Sequence, residues 1–288
     1  MKIMTVPVSA GPVSVGQMRE VLGIMRLAAA RQVMSRFRQL DSASIRCKTS
    51  KLDVVTEADE AAERDITEAL LRLSPKAVVI GEEAVSARPA LLDSLGEAEL
   101  AYVVDPIDGT ANYAAGVPLF GVMVAVVARG EVVGAAILDP VCDVAALAVR
   151  GEGAWLVGPD GAERTLACAP PAPAEEMCGN ASWRYLPLPI RDTVARNLPR
   201  VMGSWDFRCA AHEYLMLADG KCHFLLFNRT LPWDHLAGWL IHREAGGYCA
   251  HFDGSPYRPT DLAGGLLYAP DRASWLDLRR LLLEYDRD

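Results

Sequence analysis

The chain has 288 residues, 37 acidic against 29 basic side chains, a formal net charge of -8 and 51% hydrophobic residues. That composition excludes a disordered chain and predicts a sizeable core, in one large domain or two closely packed subdomains. The acidic balance argues against nonspecific binding to nucleic acid, which needs a basic surface to displace counterions, and suits a protein that gathers carboxylates around a cation.

The first predicted element is a helix over residues 14–39, with Val21, Leu22, Met25, Ala28, Ala29 and Val33 at helical spacing and arginines between them. A second runs from about Glu60 to Leu73, where Pro75 ends it. Runs rich in valine and isoleucine follow, AVVIG (77–81) and AYVVD (101–105). Residues 118–127, 131–139, 143–150 and GEGAWLVG then read as meander strands separated by Arg129-Gly130 and Pro140.

APPAPAEE (169–176) marks a change of organisation. Beyond it, strand signals at 201–204, 222–227 and 266–268 alternate with helices near 207–218, 234–245 and 271–284, the second stopped by Gly246-Gly247. Such alternation points to an α/β half after an α+β half, with subdomains at 1–168 and 169–288. The seven cysteines (Cys47, Cys142, Cys168, Cys178, Cys209, Cys222 and Cys249) are odd in number with no CxxC pair, which predicts free thiols in a reducing cytosol. The first 16 residues carry one lysine and are broken by Pro7 and Pro12, so no signal peptide is predicted. The most apolar stretch, 117–127, is too short to span a bilayer. A soluble cytoplasmic protein with no membrane partner is expected.

Four segments carry chemistry. In AYVVDPIDGTANY (101–113) an apolar strand ends at Asp105, Pro106 turns the chain, and Asp108-Gly109-Thr110 follow. Two carboxylates three residues apart across a proline turn can converge on one point, as oxygen ligands of the kind Mg²⁺ prefers. The amides of Gly109 and Thr110 can open a short helix and hold a phosphate. A proline turn with a helix-capping Asp explains the same residues. In VVIGEEAV (78–85) Glu82 and Glu83 end an apolar run, either in a solvated loop or neutralised by a partner. In PWDHLAGWLIHREAGG (232–247) Asp234 reads as an N-cap, which is compatible with metal ligation, and His235 as structural. In KTSKLDVVTEADEAAE (48–63) Thr56 to Asp59 resemble a helix cap, while Lys48 and Asp53 read equally well as surface charges.

Together these segments resemble the inositol monophosphatase family, within the wider group of lithium-sensitive, metal-dependent phosphatases. The matching stretches are Lys48 with DVVTEAD (53–59), GEE (81–83), DPIDGTANY (105–113) and WDHLAG (233–238), in order along about residues 15–285. EAGG (244–247) and Gly203-Ser204 add weaker agreement. The resemblance implies an α/β protein built as a layered αβαβα sandwich of the inositol monophosphatase and fructose bisphosphatase type. It implies that Glu82, Asp105 and the Ile107 carbonyl bind one Mg²⁺, and that Asp105, Asp108 and Asp234 bind a second, with two ions or three in all. Glu83 would support this set. Asp59 and Thr110 would pair to orient or deprotonate the attacking water, and Gly109 and Thr110 would hold phosphate. Lys48 and Asp53 would lie near a mobile N-terminal segment. A homodimer is expected from the same likeness.

The implied reaction is direct in-line attack of a metal-activated water on a small phosphate monoester. No GxSxG elbow points to a covalent nucleophile. The alternative is a non-catalytic interaction protein that keeps the phosphatase fold. Inositol-specific members carry a glutamate where this chain has Phe227-Asn228, so the ester stays open among inositol phosphate, histidinol phosphate, a sugar bisphosphate and a nucleoside bisphosphate. Arg208, His212 and Glu213 in FRCAAHEYL are candidate substrate contacts, or exposed polar positions on an amphipathic helix. Trp183, Arg184 and Tyr185 form an aromatic cluster on a predicted loop, suited to closing over a substrate or to a dimer contact.

Overall fold

A computed structural model describes residues 12–40, 45–50 and 53–284. The first helix, α1 (Val15–Ala28), starts at a capping box in which Ser14 Oγ accepts from the Gln17 amide and Gln17 Oε1 accepts from the Ser14 amide. It runs on into a π-helical turn, Ala29–Met34. A hairpin, β1 (Ile45–Ser50) and β2 (Asp53–Thr56), leads into α2 (Glu57–Leu73). There the capping arrangement expected at Thr56 and Asp59 is present as a full capping box.

Seven strands then form one sheet in chain order: β3 (Val78–Gly81), β4 (Ala101–Asp108), β5 (Gly121–Ala128), β6 (Glu131–Asp139), β7 (Val144–Val149), β8 (Gly153–Val157) and β9 (Glu163–Thr165). Short helices α3 (Glu82–Ala87) and α4 (Thr110–Ala114) follow β3 and β4. The C-terminal part contributes β10 (Cys178–Ala181), α5 (Ile190–Asn197), β11 (Gly203–Trp205), α6 (Ala210–Ala218), β12 (Phe224–Phe227), α7 (Pro232–Glu244), β13 (Tyr248–His251), β14 (Leu266–Ala269) and α8 (Arg272–Leu283). Its five strands pair in the order β11-β10-β12-β14-β13, with β10 parallel to both β11 and β12.

Strand periodicity assigns the layers. Tyr102 and Val104 of β4, with Val122, Val124 and Val126 of β5, pack with α1 and α2. The alternate residues, Ala101, Val103, Met123, Ala125 and Val127, face α6 and α7 and share their core with Leu225, Phe227, Leu266 and Tyr268 of the second sheet. The other face of that sheet (Phe224, Leu226, Leu267 and Ala269) packs on α5 and α8. Helices, sheet, helices, sheet, helices: the layered sandwich is the observed fold. Strands buried on both faces read as continuous apolar runs, which is why β4 and β5 were legible and why every residue of both is buried. Among the described residues no helix is long and apolar enough to cross a membrane.

Candidate metal centre and active site

In a regular strand, residues three apart point to opposite faces. Asp105 and Asp108 escape this because β4 bulges: Asp105 pairs with Met123 and Asp108 with Gly121, so three steps on β4 match two on β5. The extra residue restores parity and sends both carboxylates to one side. Asp234 arrives from the first turn of α7, and one ligand atom from each of the three carboxylates lies within 4.8 Å of the others. Asp234 is not the N-cap expected from sequence. Leu231 holds that position and Pro232 opens the helix, so Asp234 sits inside the first turn, where the helix dipole favours negative charge.

Asp108 is held from the C-terminal part of the chain. Its Oδ2 accepts from the Ala211 amide at 2.6 Å and from Cys209 Sγ at 3.0 Å. Gly121 permits this approach, since a Cβ there would come within 2.5 Å of the Ala211 Cβ. Gly109 has φ +86°, and its Cβ would meet the Leu119 carbonyl at 2.9 Å, so only glycine turns the chain into α4 here.

Asp59 is fully buried beside this set. Its Oδ2 accepts from Thr56 Oγ1 (2.5 Å) and the Thr56 amide (2.8 Å), and its Oδ1 lies 3.0 Å from the Thr110 hydroxyl. The Asp59–Thr110 contact expected from sequence is therefore present. The Thr110 hydroxyl also lies 2.8 Å from the Ile107 carbonyl, one of the expected ligands. Tyr113, in the same short helix, donates to the Val33 carbonyl at 2.8 Å and ties α4 to the π-helical turn.

The carboxylates are buried together, and each opposes the ionisation of its neighbours. Burial, followed by repulsion from Glu82, Asp108 and Asp234, raises Asp105 well above the usual carboxylate range. Burial and then Glu82 do the same to Asp234. Asp108 is raised by burial against the pull of its Cys209 and Ala211 hydrogen bonds. Asp59 is pushed up to about 7, again mainly by burial. Asp105 Oδ1 is buried with no hydrogen-bond partner. An orphaned acceptor amid converging carboxylates fits a hard divalent cation, which takes oxygen ligands and repays their desolvation.

The inositol monophosphatase family model matches residues 17–282. The chain belongs to the inositol monophosphatase family. It is 31% identical over 240 residues to a protein of Pseudomonas aeruginosa named Nus factor SuhB, covering 79% of this chain and 83% of that one. It is 30% identical over 205 residues to the inositol-1-monophosphatase of Rhizobium meliloti, covering 70% and 73%. The fold superposes on the Thermotoga maritima IMPase with a TM-score of 0.76 at 22% identity, covering 92% of this chain and 98% of that one.

In this inositol monophosphatase family member the cleft beside the carboxylates has a volume of about 170 Å³. Glu82, Asp108, Gly109, Thr110 and Asp234 line it. Glu82 opens α3 and its charge reaches Asp59, Asp105 and Asp234, but it stands outside the tight cluster of three. Glu83 does not line the cleft; its amide donates to Glu63. The side chains of Lys48 and Asp53 lie outside the described residues.

Of the three substrate candidates the cleft takes two. Arg208 lines it in a left-handed backbone conformation (φ 55°), with its amide on Asp206 Oδ1 and its guanidinium on Asn112 Oδ1 at 2.7 Å. Glu213 lies at the cleft, buried, with Oε2 accepting from Asn180 and Oε1 from the Phe207 amide. His212 does not line it: its Nε2 lies 3.2 Å from the Phe120 carbonyl, on the side of α6 turned to the large sheet. One helical step of 100° separates it from Glu213 and turns it toward the large sheet. His235, read as structural, is buried with Nδ1 at 2.8 Å from the Tyr214 hydroxyl, though its ring borders the cleft. Of the aromatic cluster, now a 3₁₀ turn, only Tyr185 lines the cleft; Arg184 lies over the Trp183 ring instead.

The residue missed by sequence reading is Glu63. Its carboxylate accepts from the Glu83 and Ala84 amides, both at 2.8 Å, and so caps the helix that begins with Glu82. Gly81 belongs to this contact, since a Cβ there would lie 2.2 Å from the Glu63 carboxyl carbon. The available signal was spacing: Glu63 stands four residues after Asp59 on α2, hence on the same face. Glu63→Ala is expected to weaken the divalent-metal affinity about 10- to 100-fold, as loss of a group that orients a ligand typically does. Glu63→Gln, which keeps an acceptor oxygen, should recover part of it. Activity titrated against Mg²⁺ measures both, and an unchanged titration curve would remove Glu63 from the site.

Proposed function

We propose that the protein is a Mg²⁺-dependent phosphatase that hydrolyses a small phosphate monoester by direct attack of water. The observation that carries this reading is the convergence of Asp105, Asp108 and Asp234 beside the Asp59–Thr110 hydrogen bond. Glu82, Asp105 and the Ile107 carbonyl would hold one ion, and Asp105, Asp108 and Asp234 another. Bound there, the cation supplies charge neutralisation and Lewis acidity toward the phosphoryl oxygens.

The chain's own groups supply the rest. Asp59, whose burial favours the protonated form, is placed to take a proton from the attacking water, and Thr110 fixes the direction of its Oδ1. Thr56 locks the other oxygen, so the carboxylate cannot rotate away. Gly109 and Thr110 would present their amides to the phosphate. The far wall, with Asp206, Arg208, Asn228 and Arg229, offers both donors and acceptors to the alcohol part of the ester. Glu213, with both oxygens engaged, shapes this wall through Asn180 and Phe207.

Phosphate release from an inositol phosphate, histidinol phosphate, a sugar bisphosphate and a nucleoside bisphosphate, with Mg²⁺ and with EDTA, tests the proposal. Release that requires Mg²⁺ is expected, and the preferred ester names the substrate class. A folded, Mg²⁺-loaded protein that releases phosphate from none of them would instead be a non-catalytic interaction protein on this fold.

A further inference from the structure

Helix α7 has a functional cleft at its start and a second cleft at its end. Asp234 lies in its first turn and Arg243 in its last, about 14 Å apart along the axis at 1.5 Å per residue. The second cleft has a volume of about 790 Å³ and runs between the β5–β6 turn, the end of β7, α7 and the segment after β13. We propose that it binds a small organic phosphate whose uncharged part packs against aromatic rings, and that it does so without turnover.

Charge is the first argument. Arg150, Arg243 and Arg258 line this cleft with one acidic residue, Glu131, in a protein whose net charge is -8. Glu131 pairs with Arg150, whose Nε also donates to the Val132 carbonyl at 2.7 Å. That leaves the charges of Arg243 and Arg258 without a carboxylate among the residues lining the cleft. Arg243 lies over the Trp239 ring, 5.4 Å from its centroid. Burial and then Arg243 disfavour the charge of Arg150, and Glu244 offsets them in part. An anion between them relieves that repulsion and takes charge-assisted hydrogen bonds from both.

The aromatic lining is the second argument, and it is independent of the arginines. Trp239, Tyr248 and Tyr257 line the cleft, with Trp239 and Tyr257 edge to face at 6.2 Å between centroids, so an uncharged ring carried by the phosphate meets aromatic surface that a bare inorganic anion cannot use. No carboxylate cluster able to hold a metal lies here among the described residues, so binding without hydrolysis is the expected behaviour.

The inference stands apart from the phosphatase reading, and so does its test. In EDTA the active-site carboxylates repel anions, so metal-independent binding reports the second cleft. Isothermal titration of the full chain with adenosine monophosphate, in EDTA at low ionic strength, is expected to show one site. Arg243→Gln, an exposed position on a helix surface, should weaken it about tenfold or more, the worth of one charged hydrogen bond. Arg208→Gln, in the other cleft, should leave it unchanged. No heat with the wild-type chain would overturn the proposal, as would equal affinity in Arg243→Gln, or a loss confined to Arg208→Gln.

Discussion

Asp105→Asn is expected to abolish turnover and, in the absence of metal, to make the protein more stable. The two effects have one cause. Asp105 is buried at the meeting point of both proposed ion sites, so the neutral amide removes the charge that would hold them. Loss of Lewis-acid assistance worth several kcal/mol lowers kcat by about a thousandfold or more. Without metal the same carboxylate is opposed by burial and by Glu82, Asp108, Asp234 and Asp59. Its replacement relieves that cost at little change in volume. Phosphate release in saturating Mg²⁺ and thermal unfolding in EDTA read the two halves. Near-normal turnover would remove Asp105 from the metal site, and a clear loss of stability in EDTA would show that burial of this charge is compensated by something other than metal.

Removal of metal should also give stability an unusual pH dependence. Asp59, Asp105, Asp108, Asp234 and Glu213 all have folded pKa values above their ordinary ones, Asp59 at about 7. The folded chain therefore holds protons that the unfolded chain has released. The stability this contributes is complete below about pH 4, the unfolded carboxyl value, and is lost as pH rises through the folded values. His235 and His242, pushed down to about 4, act oppositely: their contribution is present above about pH 6.5 and is lost as pH falls toward 4. Five acids outweigh two histidines. In EDTA the midpoint should fall by roughly 5 °C or more between about pH 5 and pH 8. A cation at Asp105, Asp108 and Asp234 would expel their protons, so the rise in Tm on adding Mg²⁺ should be larger at pH 8 than at pH 5. A flat or rising Tm in EDTA across that range would mean that the carboxylates are neutralised by another route.

The parts of the fold legible in the sequence are those where burial is uniform along an element. The strands β4 to β8 and the helices α2, α7 and α8 announce themselves because each has one pattern from end to end. The described elements that escaped are short or pair far away. β10 (Cys178–Ala181) contains Gly179 and Asn180, and glycine there is required because a Cβ would lie 2.1 Å from the Phe224 carbonyl. Nothing local in CGNA reads as a central strand. The same holds for β13, whose partner, β14, lies beyond a loop.

The site divides along the same line. Residue type and order along the chain named the candidate carboxylates, because a cation needs hard oxygens and Glu82 and Asp105 each stand where an apolar run ends. Direction could not be read that way. Asp105 and Asp108 share a face only because β4 bulges against β5, and that register exists between strands rather than within one. His212 and Glu213 are neighbours in sequence, yet one turns to the Phe120 carbonyl and the other to Asn180, because α6 is wedged between two sheets. Glu63 became visible only when the end of β3 folded onto α2 and brought two amides to its carboxylate. The sequence by itself determined the family, the layered fold and the chemistry of the donors. Only the tertiary structure decided where each donor points, since that depends on the packing of elements distant along the chain.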